Sequence, residues 1–168
     1  PTLLDGLNVR RVLYQPFDFD NQTIWDGFTI QNGYASNDGG GAYLQAQGQL
    51  SNCRILYNTA YFSGGVSAYY SKISNCQISY NIADFVGGIV AYYSTISNCL
   101  VSNNTATGDE VGGILGENAN IINSTIVRNS AAEGAGIYGF SENNMVNCIV
   151  WGNVANGLPN QFAGLSDF

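Results

Sequence analysis

Ile73-Ser74-Asn75-Cys76-Gln77-Ile78-Ser79-Tyr80-Asn81-Ile82-Ala83 is followed, 23 residues on, by Ile96-Ser97-Asn98-Cys99-Leu100-Val101-Ser102-Asn103-Asn104-Thr105-Ala106. Outward from this pair the same frame continues. Asn52-Cys53, Asn75-Cys76, Asn98-Cys99, Asn123-Ser124 and Asn147-Cys148 are separated by 23, 23, 25 and 24 residues. Asn58, Asn81, Asn104, Asn129 and Asn153 form a second column, Ala60, Ala83, Ala106, Ala131 and Ala155 a third, and Gly41, Gly65, Gly88, Gly113 and Gly136 a fourth. Trp25-Asp26-Gly27-Phe28-Thr29-Ile30 is an earlier copy, with Phe28 in the Cys column and Ala35 in the Ala column, which makes about six copies. A fixed period of this length is the signature of a solenoid.

Inside each copy the apolar residues lie at strand spacing, as in Ile73, Cys76, Ile78 or Ile96, Cys99, Val101. A second alternating stretch follows the glycines, with Val66 and Ala68, Ile89 and Ala91, Ile114 and Gly116, and Ile137 and Gly139. Two or three short strands per copy, without a helical segment, predict an all-β, single-stranded parallel β-helix. Each coil then hydrogen-bonds to the next about 4.8 Å away.

The columns have physical reasons. Asn tolerates the left-handed backbone of a sharp corner, and its amide can bond the equivalent amide above and below, giving an Asn ladder. Stacked Ile, Val and Leu fill the interior. Paired glycines mark a tight or closely packed corner. The Cys-to-Asn spacing is always five residues, whereas the Asn-to-Gly spacing runs 7, 7, 9 and 7, so one corner accepts insertion. The extra residues fall at Thr107-Gly108-Asp109-Glu110, which predicts a solvent-facing loop there.

Coils of the form Gly-Gly-apolar followed by I-S-N-C-x-I-x-x-N-x-A, with the opening Trp25 to Gly33, resemble the right-handed parallel β-helix repeats of polymorphic-outer-membrane-protein type. The closing Asn147 to Asn153 resembles the terminal coil of secreted or surface-anchored bacterial proteins, including the choice-of-anchor group. The resemblance covers about Val12 to Gly157. It implies right-handed coiling within the pectate-lyase-like architecture, and an extracellular or cell-surface bacterial location. Lyases, glycosidases and non-catalytic adhesins share that architecture, so it does not choose among activities.

Composition narrows the chemistry. Of 168 residues only 10% are charged, and five basic residues against twelve acidic give a net charge of −7, which offers no footprint for nucleic acid. His is absent, removing Ser-His and Cys-His nucleophiles and imidazole acid–base catalysis. No apolar run is long enough for a membrane-spanning helix, so no membrane insertion is expected. The chain opens at Pro1 without an initiator Met, which reads as a piece of something longer. No cofactor is expected.

Three groups of residues carry candidate chemistry. Cys53, Cys76 and Cys99 share an inward column with parallel side chains, a geometry that disfavours disulfides and predicts free buried thiols. Tyr69 and Tyr70 recur one coil later as Tyr92 and Tyr93, and aromatic faces among Asn, Gln and Ser suit sugar rings as well as lateral stacking. Asp84, Asp109, Glu110 and Glu133 collect at the variable corner as a solvated acidic ridge, a weak cation site or a hydrolase pair, although EF-hand and nonapeptide calcium patterns are lacking. The resemblance implies that a lyase would set an Arg or Lys base near acidic calcium ligands, and here Arg54 and Lys72 lie on other columns, leaving Arg128 alone near the ridge in register.

The expected organisation is a partial coil or cap over residues 1–24, repeats over 25–157, and a tail or cap over 158–168, or ends that run into neighbouring domains. The expected function is a non-catalytic module binding a glycan or a surface protein. The alternatives are a polysaccharide lyase or glycosidase working through the acidic ridge, and a purely structural spacer.

Overall fold

The computed structural model describes residues 2–17, 22–108, 110–139 and 142–164. Among them every element is a strand of two to four residues, and the strands stack into four sheets that run the length of a solenoid of six coils. The all-β parallel β-helix read from the repeat is the fold observed.

One coil shows the path. Lys72–Ser74 lies in the first sheet, Gln77–Ser79 in the second, Ile82–Ala83 in the third and Ile89–Tyr92 in the fourth. Each strand pairs in parallel with its equivalents above and below, so Ile73 aligns with Leu50 and Ile96, and Ile78 with Ile55 and Val101. Residues one period apart become vertical neighbours, and the inward ones fuse into a single core. Ile55, Ile73, Ile78, Ile89, Ile96, Ile114, Ile121 and Ile126 are fully buried, each contributing about 1.5–3 kcal/mol of transfer free energy.

Three of the four corners are built from the same two-residue unit. The first residue is left-handed: Asn75 (φ 54°), Tyr80 (φ 58°) and Tyr93 (φ 49°) in successive corners. The second points inward and accepts from the backbone of the preceding coil. Cys53 N donates to Cys76 Sγ (3.4 Å), Asn58 N to Asn81 Oδ1 (3.0 Å) and Ser71 N to Ser94 Oγ (3.0 Å). The two roles that the sequence reading merged in one Asn column are therefore divided. Asn52, Asn75, Asn98, Asn123 and Asn147 turn the chain and lie exposed. Asn58, Asn81, Asn104, Asn129 and Asn153 are fully buried and make the ladder.

The ladder is completely satisfied. Asn81 Nδ2 donates to Asn104 Oδ1 (3.0 Å) and to Ile55 O (3.0 Å), while its Oδ1 accepts from Asn58 Nδ2 (2.9 Å) and Asn58 N (3.0 Å). The pattern repeats to Asn153, whose amide donates to Gln161 Oε1 (3.0 Å). At the other end Gly33 N donates to Asn58 Oδ1 (2.8 Å).

The glycines at the fourth corner have a different cause. Gly65, Gly88 and Gly113 do not have positive φ. A Cβ on Gly88 would press on the carbonyl oxygen of Gly113 in the next coil, so close stacking demands glycine there.

The loops leading to this corner are more than solvent-facing connections. Ser63, Val86, Val111 and Gly134 form successive parallel bridges. Val86 and Val111, with Phe62 and Phe85, pack over Val90 and Leu115 of the fourth sheet, so these outward residues are buried in a second apolar cluster.

At the start of the chain Thr2–Asp5 adds to the second sheet beside Phe28–Gln31, and Leu13–Gln15 to the fourth beside Ala42–Leu44. At the other end Leu158–Pro159 folds back antiparallel on Val154–Ala155, and Phe162–Gly164 adds beside Ile137–Gly139. Leu165 and Phe168, expected to contribute to a cap, lie outside the described residues, as does Phe140.

Candidate functional site

Tyr70 and Tyr93 stand at the corner between the fourth and first sheets, 55% and 50% exposed. Their rings are 4.9 Å apart and 6° from parallel. Both backbones are left-handed (φ 52° and 49°), and in the next coil the same corner is held by Asn118 (φ 50°). A residue with a Cβ pays about 1–2 kcal/mol in this conformation, and Asn and Gly tolerate it best. A bulky aromatic there works against local backbone preference, and stacking offsets part of the cost.

The first sheet supplies the floor beside these rings. Gln49, Lys72 and Thr95 are aligned in register and line one depression with Tyr70 and Tyr93, and Gln22, Gln47 and Ser71 complete it. Its volume is about 190 Å³. Amides, hydroxyls, one ammonium and two tyrosines around a shallow groove can hydrogen-bond a polyhydroxylated ligand and cover an apolar face of it. The sequence reading singled out the tyrosines and missed their polar partners. The signal was present, since Gln49, Lys72 and Thr95 recur at intervals of 23 residues.

Tyr69 and Tyr92 occupy a different environment. They lie half-buried on the outer side of the fourth sheet in a row with Tyr14 and Tyr43, at centroid distances of 5.6, 5.6 and 5.3 Å along the row. Arg11 lies over Tyr14 and Tyr43, at 5.3 and 5.1 Å from their ring centres. Burial, reinforced by the negative charge of Asp38, pushes the Tyr69 hydroxyl well above its ordinary pKa. The faces in this row are largely spent on one another.

The acidic residues do not share one column. Asp84 is exposed and accepts from Thr107 Oγ1 (3.0 Å), its equivalent one coil on. Glu110 and Glu133 instead continue the column of Phe62 and Phe85, each standing one residue before a loop bridge. Partial burial, followed by the charge of Glu133, raises the Glu110 pKa. Asp109 lies outside the described residues. Among the described residues no three His, Cys, Asp or Glu side chains come together as a metal site would require. Asp38 is half-buried and its pKa is raised by desolvation, with Arg11 opposing.

The four cysteines are free thiols, three buried and Cys148 half-buried. Cys53 is pushed well above the ordinary thiol range by its hydrogen bond with Cys76 and by burial. A thiol so held is a poor nucleophile, and in this column it acts as a corner-bonding side chain.

Searches of curated proteins and of solved structures return no match. A family model described as "Right handed beta helix region" matches residues 17–161, which contain five of the six ladder coils and both tyrosine pairs. With four stacked sheets and a continuous Asn ladder over the same span, the chain belongs to the right-handed β-helix family.

Proposed function

We propose that this chain is a non-catalytic adhesion module of a bacterial cell surface, of the polymorphic-outer-membrane-protein or choice-of-anchor kind, and that the Tyr70–Tyr93 corner is its glycan contact. The observation that carries this reading is the placement of two exposed tyrosines in left-handed positions where the coil favours Asn or Gly. Departures from local preference concentrate where function imposes them. The adjoining groove of Gln22, Gln47, Gln49 and Lys72 supports a sugar as the ligand.

A glycan array probed with the whole chain tests the reading. Binding to at least one glycan is expected, weakened about tenfold or more by Tyr70→Ala with Tyr93→Ala. A blank array, or binding indifferent to these two changes, discards it.

A second reading rests on Glu110 and Glu133. A carboxyl raised by burial and a like charge beside it is the arrangement that acid–base pairs use. Turnover of a polysaccharide that Glu133→Gln abolishes would establish a lyase or glycosidase. The adhesion reading predicts no turnover with or without calcium.

A further inference from the structure

A trough runs along the solenoid beside the third sheet, where the chain leaves each short strand for the variable loop. Three depressions of about 270, 270 and 290 Å³ follow one another. The first two share Tyr34 and Ser36, and the second and third share Tyr61 and Asp84. From Arg11 to Gly108 the trough crosses four coil-to-coil steps, roughly 20 Å at about 4.8 Å each. Ala35 and Ala60 of the alanine column line it, and small side chains there leave its room.

The lining selects among elongated ligands. Tyr34 is 46% exposed and stacks on no other ring among the described residues, unlike the paired tyrosines of the other corners. Tyr61 is 53% exposed and meets Phe85 edge to face at 5.1 Å and 71°. Aromatic faces therefore remain open to a ligand. A peptide could not add as a strand, because the third sheet is already paired coil to coil: Tyr34 N donates to Arg10 O, Thr59 N to Gly33 O and Ile82 N to Asn58 O. An acidic chain would meet Asp84 without a free cation to balance it. Arg11 spends its Nε on Asp38 O and Gly39 O, and its Nη2 on Asn37 Oδ1 and Asp38 O.

We propose that this trough holds a linear neutral polysaccharide laid parallel to the solenoid axis. Sugar faces rest on Tyr34 and Tyr61, and the Asp84 carboxylate, oriented by Thr107, accepts from sugar hydroxyls. The site is separate from the Tyr70–Tyr93 corner and stands or falls independently of it.

Calorimetric titration of the whole chain with cellohexaose, xylohexaose and mannohexaose tests the proposal. At least one hexasaccharide binds more tightly than its disaccharide. Tyr34→Ala or Tyr61→Ala weakens that binding about tenfold, Asp84→Asn weakens it too, and Tyr70→Ala with Tyr93→Ala leaves it unchanged. Both trough tyrosines are exposed, so unaltered melting of the variants separates lost contact from lost folding. Failure of all three hexasaccharides to bind, indifference to Tyr34 and Tyr61, or preference for an oligogalacturonate overturns the trough. Loss through the Tyr70 and Tyr93 changes alone would also overturn it, while favouring the corner.

Discussion

At the scale of the residue, two asparagines in each coil do opposite things. Asn98 is exposed and tolerates φ 53°, whereas Asn81, buried between Asn58 and Asn104, gives and receives four hydrogen bonds. Replacing Asn81 with Ala strips a partner from Asn58 N, Asn58 Nδ2, Ile55 O and Asn104 Oδ1 inside the core, and the expected cost is about 3 kcal/mol or more. Asn98→Ala should cost about 1 kcal/mol and Asn98→Gly close to nothing. Urea titration of the three variants checks the order, and an equal cost at both sites would contradict the division of roles. Both columns were legible in the sequence, but their division was not, because a left-handed corner and an amide ladder call for the same side chain. The Cys column was legible for a simpler reason: Ser124 substitutes within it, as a small inward group that can serve the same bond (Cys99 N to Ser124 Oγ, 3.1 Å).

Among elements, what repeats was readable and what varies was not. The pairing of Val66–Tyr69 with Ile89–Tyr92 and then with Ile114–Glu117 follows from period and alternation. Alternation also puts Val90 and Leu115 on the outer side of the fourth sheet, which suggests exposure. They are buried because Phe62, Phe85, Val86 and Val111 fold across them, and that loop changes length between coils, so no column announces it. The same irregularity explains why Asp84 and Glu110 looked like one ridge. Coil-to-coil closeness, by contrast, can be tested where it is regular. Gly88→Ala would force its methyl against Gly113 O, with an expected loss of about 3 kcal/mol or failure to fold, whereas Gly152→Ala, at φ 65° with open space around it, should cost about 1 kcal/mol. Thermal melting of the two variants decides the matter, and a mild Gly88→Ala would mean that the coils are not so closely stacked.

For the whole molecule, stability and recognition are carried by different atoms. The isoleucine core, the ladder and the two-residue corners hold the coils together through nearest-neighbour contacts that sum along the array. The surface carries few charges and takes its polarity from Asn, Ser, Thr, Gln and Tyr, so binding through Tyr70 and Tyr93 should depend little on salt. Replacing both tyrosines with Asn removes a stacked pair worth about 0.5–1.5 kcal/mol but relieves two left-handed backbones of about 1–2 kcal/mol each. Melting and glycan capture, measured side by side on this double variant, test the separation most directly. The account predicts a midpoint equal to or above that of the unaltered chain with capture lost. A collapsed midpoint, or capture retained, would show that the tyrosines serve the fold and that recognition lies elsewhere.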